Sequence, residues 1–303
     1  MSPTKNMAAS VKQQLLNQAK ATKRPFQELL QYYAMERFLY RLSQSQHRER
    51  YILKGALMLR AWAWNHPLSM SRPTMDIDML AMTANTEDNI QTHTLDIIHT
   101  PVLDDGLQFQ TSTIKISRIT EGASYEGIRV RFVGLLERTQ VPMQLDIGFG
   151  DKVHPSPQQK ELPTILNQPP PNLLCYPKES AIAEKFQVMV QLGHLNSRMK
   201  DFYDIWTLSQ QFAFDFDTLQ EAIRQTFTER QCELTEPIDA FTDAFIDSQQ
   251  TMWNAFRRRM KQEQIPEDFR IINQDLQAFL LPVVHQPSSP MHWTPDSGWD
   301  EKP

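Results

Sequence analysis

Apolar residues recur at steps of three and four near the start of the chain, which is the spacing of amphipathic helices. The pattern runs from Val11 to Ser43, and Pro25 divides it into two predicted helices. A β-prone run at Tyr51–Leu53 follows, then a turn at Lys54-Gly55 and strong helix formers from Ala56 to Trp64. This order predicts a strand, a tight turn and a helix.

The hydrophobic period changes to two in the next segment. Met75, Ile77 and Met79 alternate with Asp76 and Asp78, which predicts a half-buried strand with its apolar side chains on one face. Further strands are predicted at Thr113–Ser117, Ile128–Val133 and Val141–Phe149, and a helix at Glu87–His99. The first half of the chain is therefore predicted to be mixed α and β.

A proline-rich stretch at Pro155–Pro171 separates this half from a helical one, since consecutive prolines resist both helices and sheet ladders. Three-to-four periodicity predicts helices at Pro177–Leu192, Met199–Gln211, Phe216–Thr228 and Ile238–Met260. The proline-rich stretch from Pro282 is predicted to be ordered by contact, or disordered. The predicted fold class is α+β, with a mixed-sheet domain and flanking helices at residues 1–170, a helical bundle at 171–281 and a tail at 282–303.

Composition excludes several classes of protein. The 303 residues are 40% hydrophobic and 22% charged, so neither wholesale disorder nor a coiled-coil rod fits. The net charge of −5 argues against a protein that coats nucleic acid through bulk positive charge, and a local basic groove stays open. Two cysteines without CxxC spacing argue against a zinc module or a disulfide scaffold. No apolar run reaches the ~18–20 residues of a bilayer span, so a soluble, cytoplasmic protein is predicted.

Asp76 and Asp78 are the sharpest candidates for chemistry, because residues two apart on a strand share one face. Asp146 occupies the equivalent face of the predicted strand Val141–Phe149. If the two strands are neighbours, three carboxylates converge and a divalent cation must offset their repulsion, which predicts a Mg²⁺ site. The alternative is solvated acidic positions on unrelated edge strands.

Gly55 is a candidate phosphate-binding turn, since a glycine that opens a helix presents unblocked backbone N–H groups. The chain has nine glycines, well below the usual ~7% of residues, so each position is informative. Lys54, Arg72 and Thr74 add cationic and hydroxyl groups around the turn and the carboxylates. An ordinary β-turn with surface bases explains the same residues.

Lys185 lies at helical spacing from Ile182, Met189 and Leu192, so it projects from an apolar stripe and needs a partner. Triphosphate oxygens would supply one, and an ammonium group that reaches water along an apolar surface is the alternative. Asp201 and Asp204 lie one helical turn apart on the next predicted helix. Lys200 stands at i,i+4 from Asp204, which by itself predicts a surface ion pair.

Two groups of basic residues are candidates for contact with RNA phosphates. Arg257-Arg258-Arg259-Met260-Lys261 forms a basic cluster on a helix, and Arg129 and Arg131 share one strand face. A solvated surface is the alternative for both groups.

Five segments carry a resemblance to a known superfamily: Lys54-Gly55-Ala56, Arg72–Asp78, Gln144–Asp151, Ala183–Phe186 and Lys200–Ile205. Their content and order resemble the polymerase-β-like nucleotidyltransferases and, more narrowly, the AbiEii/AbiGii toxin family, which includes the mycobacterial MenT toxins. The resemblance covers roughly Val11 to Leu281. One departure is Ala56, where the family usually has a second glycine or a serine, so a hydroxyl contact to the triphosphate is not expected there.

The resemblance implies a nucleotidyltransferase toxin of a bacterial toxin–antitoxin or phage-defence system. Such an enzyme transfers a nucleoside monophosphate from an NTP to an acceptor hydroxyl, which is a tRNA 3′ end in characterised relatives, and has a cognate antitoxin. On this basis the catalytic residues are Asp76, Asp78, Asp146, Lys185 and Asp204, and the first three of these hold Mg²⁺. Asp201 is a further candidate, and the expected NTP contacts are Lys54, Gly55, Ala56, Arg72, Thr74 and Lys185.

Two other classes of function stay open on the residues alone. A metal-dependent nuclease would use the same carboxylates and consume no NTP. A non-catalytic module that binds a nucleotide or an antitoxin would keep the fold without the chemistry.

Overall fold

The computed structural model describes residues 6–62, 72–120, 126–260, 262, 264–285 and 290–301. Trp64 and Lys261 lie outside these residues. Within them the chain divides into two compact units. Of the described residues, the first unit takes 6–62, 73–120, 126–150 and 158–175, and the second takes Arg72, 151–157, 176–260, 262, 264–285 and 290–301.

The helices of the first unit are α1 (Met7–Thr22), α2 (Phe26–Gln44), α3 (Ala56–Trp62) and α4 (Glu87–His99). Asn6 caps α1 by accepting a hydrogen bond from the Ala9 N–H at 3.2 Å. Pro25 stands directly before α2, where its missing N–H costs nothing, so the predicted break into two helices is confirmed. Thr86 caps α4 in the same way as Asn6 caps α1.

Within the described residues, seven strands form the sheet of the first unit: β1 (Tyr51–Lys54), β2 (Ile77–Ala81), β3 (Leu107–Thr120), β4 (Glu126–Leu136), β5 (Thr139–Phe149), β6 (Gln158–Glu161) and β7 (Asn172–Cys175). Their order is β3-β4-β5-β2-β1-β7-β6. The β2–β5 and β1–β7 pairs are parallel and the others antiparallel, so the sheet is mixed, as predicted. Strand β2, which contains Asp78 and follows Asp76 directly, is the neighbour of β5, which contains Asp146.

Alternation on β5 builds the core of this unit. Its inward side chains are at most 1% exposed: Val141, Met143, Leu145 and Ile147. Burial of each such side chain contributes ~1.5–3 kcal/mol relative to exposure. Gln31 of α2 donates to the Pro142 carbonyl oxygen at 2.9 Å, which ties this helix to the strand.

The prediction that Met75 shares the apolar face of Ile77 and Met79 is wrong. Ile77 and Met79 are buried, whereas Met75 is 53% exposed. Strand β2 begins at Ile77, so Met75 precedes the paired residues and the alternation of the strand does not govern its side chain.

The proline-rich stretch at Pro155–Pro171 contains β6, at the edge of the sheet of the first unit. An edge strand has one unpaired side, and prolines are compatible with such a position. The proline content predicted a linker here. The strand was missed because composition carries no information about the pairing of β6 with β7.

A pair of stacked histidines in the first unit predicts a pH dependence of stability. The rings of His47 and His93 stack with centroids 3.8 Å apart. His93 Nδ1 lies 2.8 Å from the Tyr51 hydroxyl, and His47 Nε2 lies 2.8 Å from an Asp96 oxygen. Burial, with help from His47 and Arg50, lowers the pKa of His93 to about 4. The folded protein therefore holds His93 neutral where the unfolded chain is protonated.

We expect the contribution of His93 to be complete above its unfolded pKa of ~6.5 and to disappear as the pH falls toward 4. Chemical denaturation at a series of pH values checks this. As the pH falls from ~6.5 toward 4, the free energy of unfolding should decrease less for His93→Gln than for the wild type. His99→Gln, an exposed position on the same helix, is the matched control and should keep the wild-type slope. Equal slopes for all three proteins would contradict the prediction.

The second unit contains α5 (Lys178–Leu192), α6 (Met199–Gln211), α7 (Phe216–Glu229), α8 (Asp243–Met260) and α9 (Phe269–His285). A small sheet of order β10-β9-β8 is formed by β8 (Phe214–Asp215), β9 (Met291–Thr294) and β10 (Gly298–Glu301). Aromatic rings fill much of the interior, for example Phe202 against Phe269 at 5.2 Å. No helix within the described ranges is long and apolar enough to cross a bilayer.

The stretch from Pro282 is ordered by contact over its described residues. Pro282 lies inside α9, and β9 and β10 form a hairpin that extends β8. Trp293 donates its indole N–H to the Ser209 carbonyl oxygen at 2.7 Å, and Trp299 donates to that of Phe279 at 2.9 Å. The hairpin therefore belongs to the core of the second unit.

Replacing Trp293 with alanine should lower the free energy of unfolding by ~3–5 kcal/mol, since it removes a buried aromatic side chain and leaves a cavity. Chemical denaturation measures the change. Asp296→Ala, at the exposed turn of the same hairpin, should stay within ~0.5 kcal/mol of the wild type. Wild-type stability of the Trp293 variant would mean that the hairpin does not contribute to the core.

Candidate functional site

A tight turn at Gly55 joins β1 to α3, as predicted. The φ angle of Gly55 is 72°, a left-handed conformation that side chains with a Cβ adopt at a cost. A Cβ at this position would lie 1.9 Å from Asp78 Oδ2, so the backbone of the turn packs directly against that carboxylate. Lys54 stands opposite Asp78 in the β1–β2 register. Lys54, Gly55 and Asp78 therefore form one local arrangement.

The three predicted metal ligands converge. The parallel register of β2 and β5 places Asp78 opposite Asp146, and Asp76 precedes β2 by one residue. One carboxylate oxygen from each residue lies within 4.8 Å of the others. Asp146 is 8% exposed, whereas Asp76 and Asp78 are half-buried. We name Asp76, Asp78 and Asp146 the acidic cluster.

Thr74 lies beside the acidic cluster and orients one of its members. Its hydroxyl donates to Asp76 Oδ1, and its own backbone N–H donates to the Tyr32 hydroxyl at 3.2 Å. The sequence predicted that Thr74 contacts the nucleotide. In the structure its hydroxyl hydrogen is directed to Asp76.

Arg129 is a member of the site that sequence reasoning assigned elsewhere. Its Nε lies 2.7 Å from Asp146 Oδ1 and its Nη2 lies 2.6 Å from Oδ2, a bidentate ion pair. Gln144 donates to Asp146 Oδ2 at 3.2 Å and accepts from Arg131 Nε at 3.0 Å. Arg129 and Arg131 were candidates for contact with RNA phosphates, with a solvated surface as the alternative. In the structure both contact side chains of the neighbouring strand, and contact with RNA stays a prediction.

A signal for the Arg129 pair exists in the sequence. Strands β4 and β5 are joined by the two residues Glu137 and Arg138, and short connections of this kind fix the register of a hairpin. Counting back from the Leu136–Thr139 pair places Arg129 opposite Asp146. Reading the two strands as a hairpin would therefore have found the contact.

In the second unit, Lys185 lies between two carboxylates. Its Nζ is 2.9 Å from Asp201 Oδ1 and 2.8 Å from Asp204 Oδ2. The sequence predicted phosphate or water as the partner, and the structure supplies aspartates from the next helix. Burial by itself would lower the pKa of Lys185, but the charges of Asp201 and Asp204 outweigh it and raise this pKa above its ordinary value.

Two arginines complete this group. Arg72 donates from Nε and Nη2 to the two oxygens of Asp204 at 2.8 and 3.1 Å, and Arg198 Nε lies 2.6 Å from Asp201 Oδ2. Although burial opposes ionisation of Asp201, Lys185 and Arg198 hold its pKa well below the ordinary value. We name Arg72, Lys185, Arg198, Asp201 and Asp204 the lysine cluster. It contains three bases and two carboxylates.

The surface ion pair between Lys200 and Asp204, which the helical spacing offered as an alternative, does not form. Asp204 is fully buried and pairs with Arg72 and Lys185, whereas Lys200 is exposed. Helical spacing brought the two residues to adjacent positions, but the burial of Asp204 directs its carboxylate into the lysine cluster.

The neighbour of Lys185 in sequence serves a different set of contacts. Glu184 accepts from the Tyr176 hydroxyl at 2.7 Å and lies 3.6 Å from Arg230, which also pairs with Asp151 at 2.9 Å. These residues link α5 to the end of α7. Consecutive residues of the Ala183–Phe186 segment thus have separate roles, one structural and one in the lysine cluster.

The basic segment at the end of α8 is largely solvated in its described part. Arg258 and Arg259 are exposed. Arg257 donates to the Ile265 carbonyl oxygen at 2.9 Å and pairs with Glu267 at 3.2 Å. Contact of this segment with RNA stays a prediction.

Two solved structures are similar to the chain. A crystal structure described as a "putative nucleotidyltransferase" from Helicobacter pylori is 14% identical, with a TM-score of 0.42 over 86% of this chain and 99% of that one. The crystal structure of JHP933, also from Helicobacter pylori, is 13% identical, with a TM-score of 0.40 over 82% of this chain and 90% of that one. No curated protein sequence matches the chain.

The family model described as "Nucleotidyl transferase AbiEii toxin, Type IV TA system" matches residues 37–278. The matched range includes all three members of the acidic cluster and all five members of the lysine cluster. The chain therefore belongs to the AbiEii family of nucleotidyltransferase toxins of type IV toxin–antitoxin systems.

Proposed function

We propose that this protein transfers a nucleoside monophosphate from an NTP to a hydroxyl group of RNA, with release of pyrophosphate. A tRNA 3′ end is the proposed acceptor. The observation that carries the proposal is the convergence of Asp76, Asp78 and Asp146 within 4.8 Å in a chain of the AbiEii family. Phosphoryl transfer requires positioning and neutralisation of charge more than covalent chemistry, and a cluster of carboxylates can hold the ions that do this.

The acidic cluster fits a divalent metal, and Mg²⁺ is the proposed ion. Its donors are carboxylate oxygens, the ligands that hard cations prefer. When bound, Mg²⁺ supplies positive charge to the triphosphate and lowers the pKa of the acceptor hydroxyl. Thr74 holds Asp76 in place, and the Gly55 turn holds Asp78. In this proposal Lys54, Gly55 and Ala56 contact phosphate oxygens beside Asp78.

We assign the lysine cluster to the triphosphate. Lys185 and Arg72 are the proposed contacts, since two largely buried cations that face one carboxylate suit a polyanion. Asp204 accepts from Arg72 on both of its oxygens and from Lys185 on one of them. This arrangement favours Asp204 as the residue that orients the two bases, over a role as proton acceptor. Asp201 holds Lys185 from its other side.

The toxin family supports a cellular role in growth arrest. We propose that expression of this protein without its antitoxin stops growth, and that the system serves phage defence. Both follow from nucleotide addition to an RNA that translation requires.

Incubation of the purified chain with Mg²⁺, each labelled NTP in turn and total tRNA tests the proposal. The expected result is label in the size range of tRNA with one or a few NTPs. Label on protein instead would change the acceptor, and absence of label with every NTP and acceptor would contradict the proposed transfer. Incubation with RNA and Mg²⁺ without NTP separates the nuclease alternative, which predicts shortened RNA.

A further inference from the structure

Arg129 forms a bidentate ion pair with Asp146, which is one of the three proposed metal ligands. Both carboxylate oxygens of Asp146 accept an N–H of Arg129, at 2.7 and 2.6 Å. Gln144 adds a third donor to Oδ2 at 3.2 Å. The two residues stand directly opposite each other in the β4–β5 ladder, so the sheet itself imposes their proximity.

A divalent cation in the acidic cluster needs an oxygen of the same carboxylate. Asp146 is 8% exposed, and its side chain has little freedom to serve two cations by turning. Arg129 and Gln144 occupy three of the about four lone-pair positions of this carboxylate, so the guanidinium group and the metal compete for it and repel each other.

We propose that Arg129 is the internal counter-ion of Asp146, which a divalent cation must displace, and that this exchange sets the metal affinity of the acidic cluster. The inference rests on the proposed function, because it takes the acidic cluster as the metal site. It gives Arg129 a positioning role: the guanidinium offsets the mutual repulsion of three carboxylates and leaves Asp146 when the metal binds.

Arg131 provides a matched control. It lies two residues from Arg129 on the same face of β4, and its Nε donates to Gln144 rather than to Asp146. Arg131→Gln removes the same charge as Arg129→Gln without removing the contact to the metal ligand. General electrostatics would affect both variants, whereas direct competition affects one.

Isothermal titration of the full chain with Mn²⁺ and with Mg²⁺ tests the inference. We expect Arg129→Gln to bind metal about 10- to 100-fold more tightly than the wild type. This ratio corresponds to the free energy of the charged hydrogen bonds with which the metal no longer competes. The metal affinity of Arg131→Gln should remain within about threefold of the wild type, because the direct partner of Arg131 is not a metal ligand. Arg129→Lys keeps the positive charge but loses the bidentate guanidinium group, so its metal affinity should lie between those of the wild type and Arg129→Gln.

A second readout follows the side chain itself. The Nε–Hε signal of Arg129, identified by its loss in Arg129→Lys, should shift when Mg²⁺ is added to the wild type. Unchanged or weaker metal binding by Arg129→Gln, or an unmoved Arg129 signal at saturating Mg²⁺, would overturn the inference and leave the metal site standing. A wild type that binds neither ion would overturn the proposed metal site, and the inference with it.

Discussion

Replacing Asp76 and Asp78 together with asparagine should abolish transfer of label from NTP to RNA, a loss of at least ~1,000-fold. Asparagine keeps the size of each side chain but removes two of the three negative charges of the acidic cluster. An amide oxygen is a weak ligand for a hard cation, so the divalent ion and the triphosphate that it neutralises lose their anchor. The same variant should no longer arrest growth when it is expressed.

The variant removes carboxylates that repel each other, so its fold should survive. Thermal unfolding and far-UV circular dichroism check this. The double variant Glu87→Gln and Asp88→Asn, at exposed positions in the first turn of α4, changes the net charge equally and should retain transfer. Full activity of the Asp76 and Asp78 double variant would contradict the proposed function.

Replacing Gly55 with alanine should reduce transfer nearly as strongly as the double variant of Asp76 and Asp78, although it leaves all charges in place. The new methyl carbon would lie 1.9 Å from Asp78 Oδ2, far inside van der Waals contact, so either the turn or the carboxylate must move. Alanine also pays ~1–2 kcal/mol for the left-handed backbone at φ 72°. Because catalysis depends on sub-ångström placement, we expect a loss of at least ~100-fold in kcat/KM.

Gly298→Ala separates the two causes. Gly298 has a similar φ of 83°, but its added Cβ would meet Trp293 at 3.7 Å, an ordinary contact. This variant should lose a comparable amount of stability for backbone strain and keep transfer activity. Initial rates with labelled NTP, together with chemical denaturation, measure both effects. Near-normal transfer by Gly55→Ala would show that Asp78 need not be held by the turn.

Counter-charges accompany carboxylates of both the acidic cluster and the lysine cluster. Asp146, Asp201 and Asp204 are all paired with basic side chains: Arg129, Arg198, Lys185 and Arg72. Buried carboxylates require such partners, because desolvation of an unpaired charge is costly. In each case the pairing restrains a residue proposed to bind a metal or phosphate.

Local patterns were sufficient to predict most of the secondary structure. Period-two alternation located β2 and β5, three-to-four periodicity located α5, α6 and α7, and Pro25 located the break between α1 and α2. These features follow from contacts between near neighbours in sequence. The edge strand β6 and the hairpin of β9 and β10 were missed, because prolines are compatible with edges and with turns as well as with linkers.

By itself, the sequence determined which residues carry charge on which face of each element, and so identified the acidic residues, Gly55 and Lys185 as candidates. Tertiary structure alone decided which of these side chains meet. The β2–β5 register brought Asp78 to Asp146, and the contact of α5 with α6 placed Lys185 between two aspartates. The pairing of Arg129 with Asp146 is different, because the short hairpin connection between β4 and β5 fixes it locally. Periodicity along one element reports the direction of a side chain, whereas its partner depends on long-range pairing, which leaves no periodic trace in the sequence.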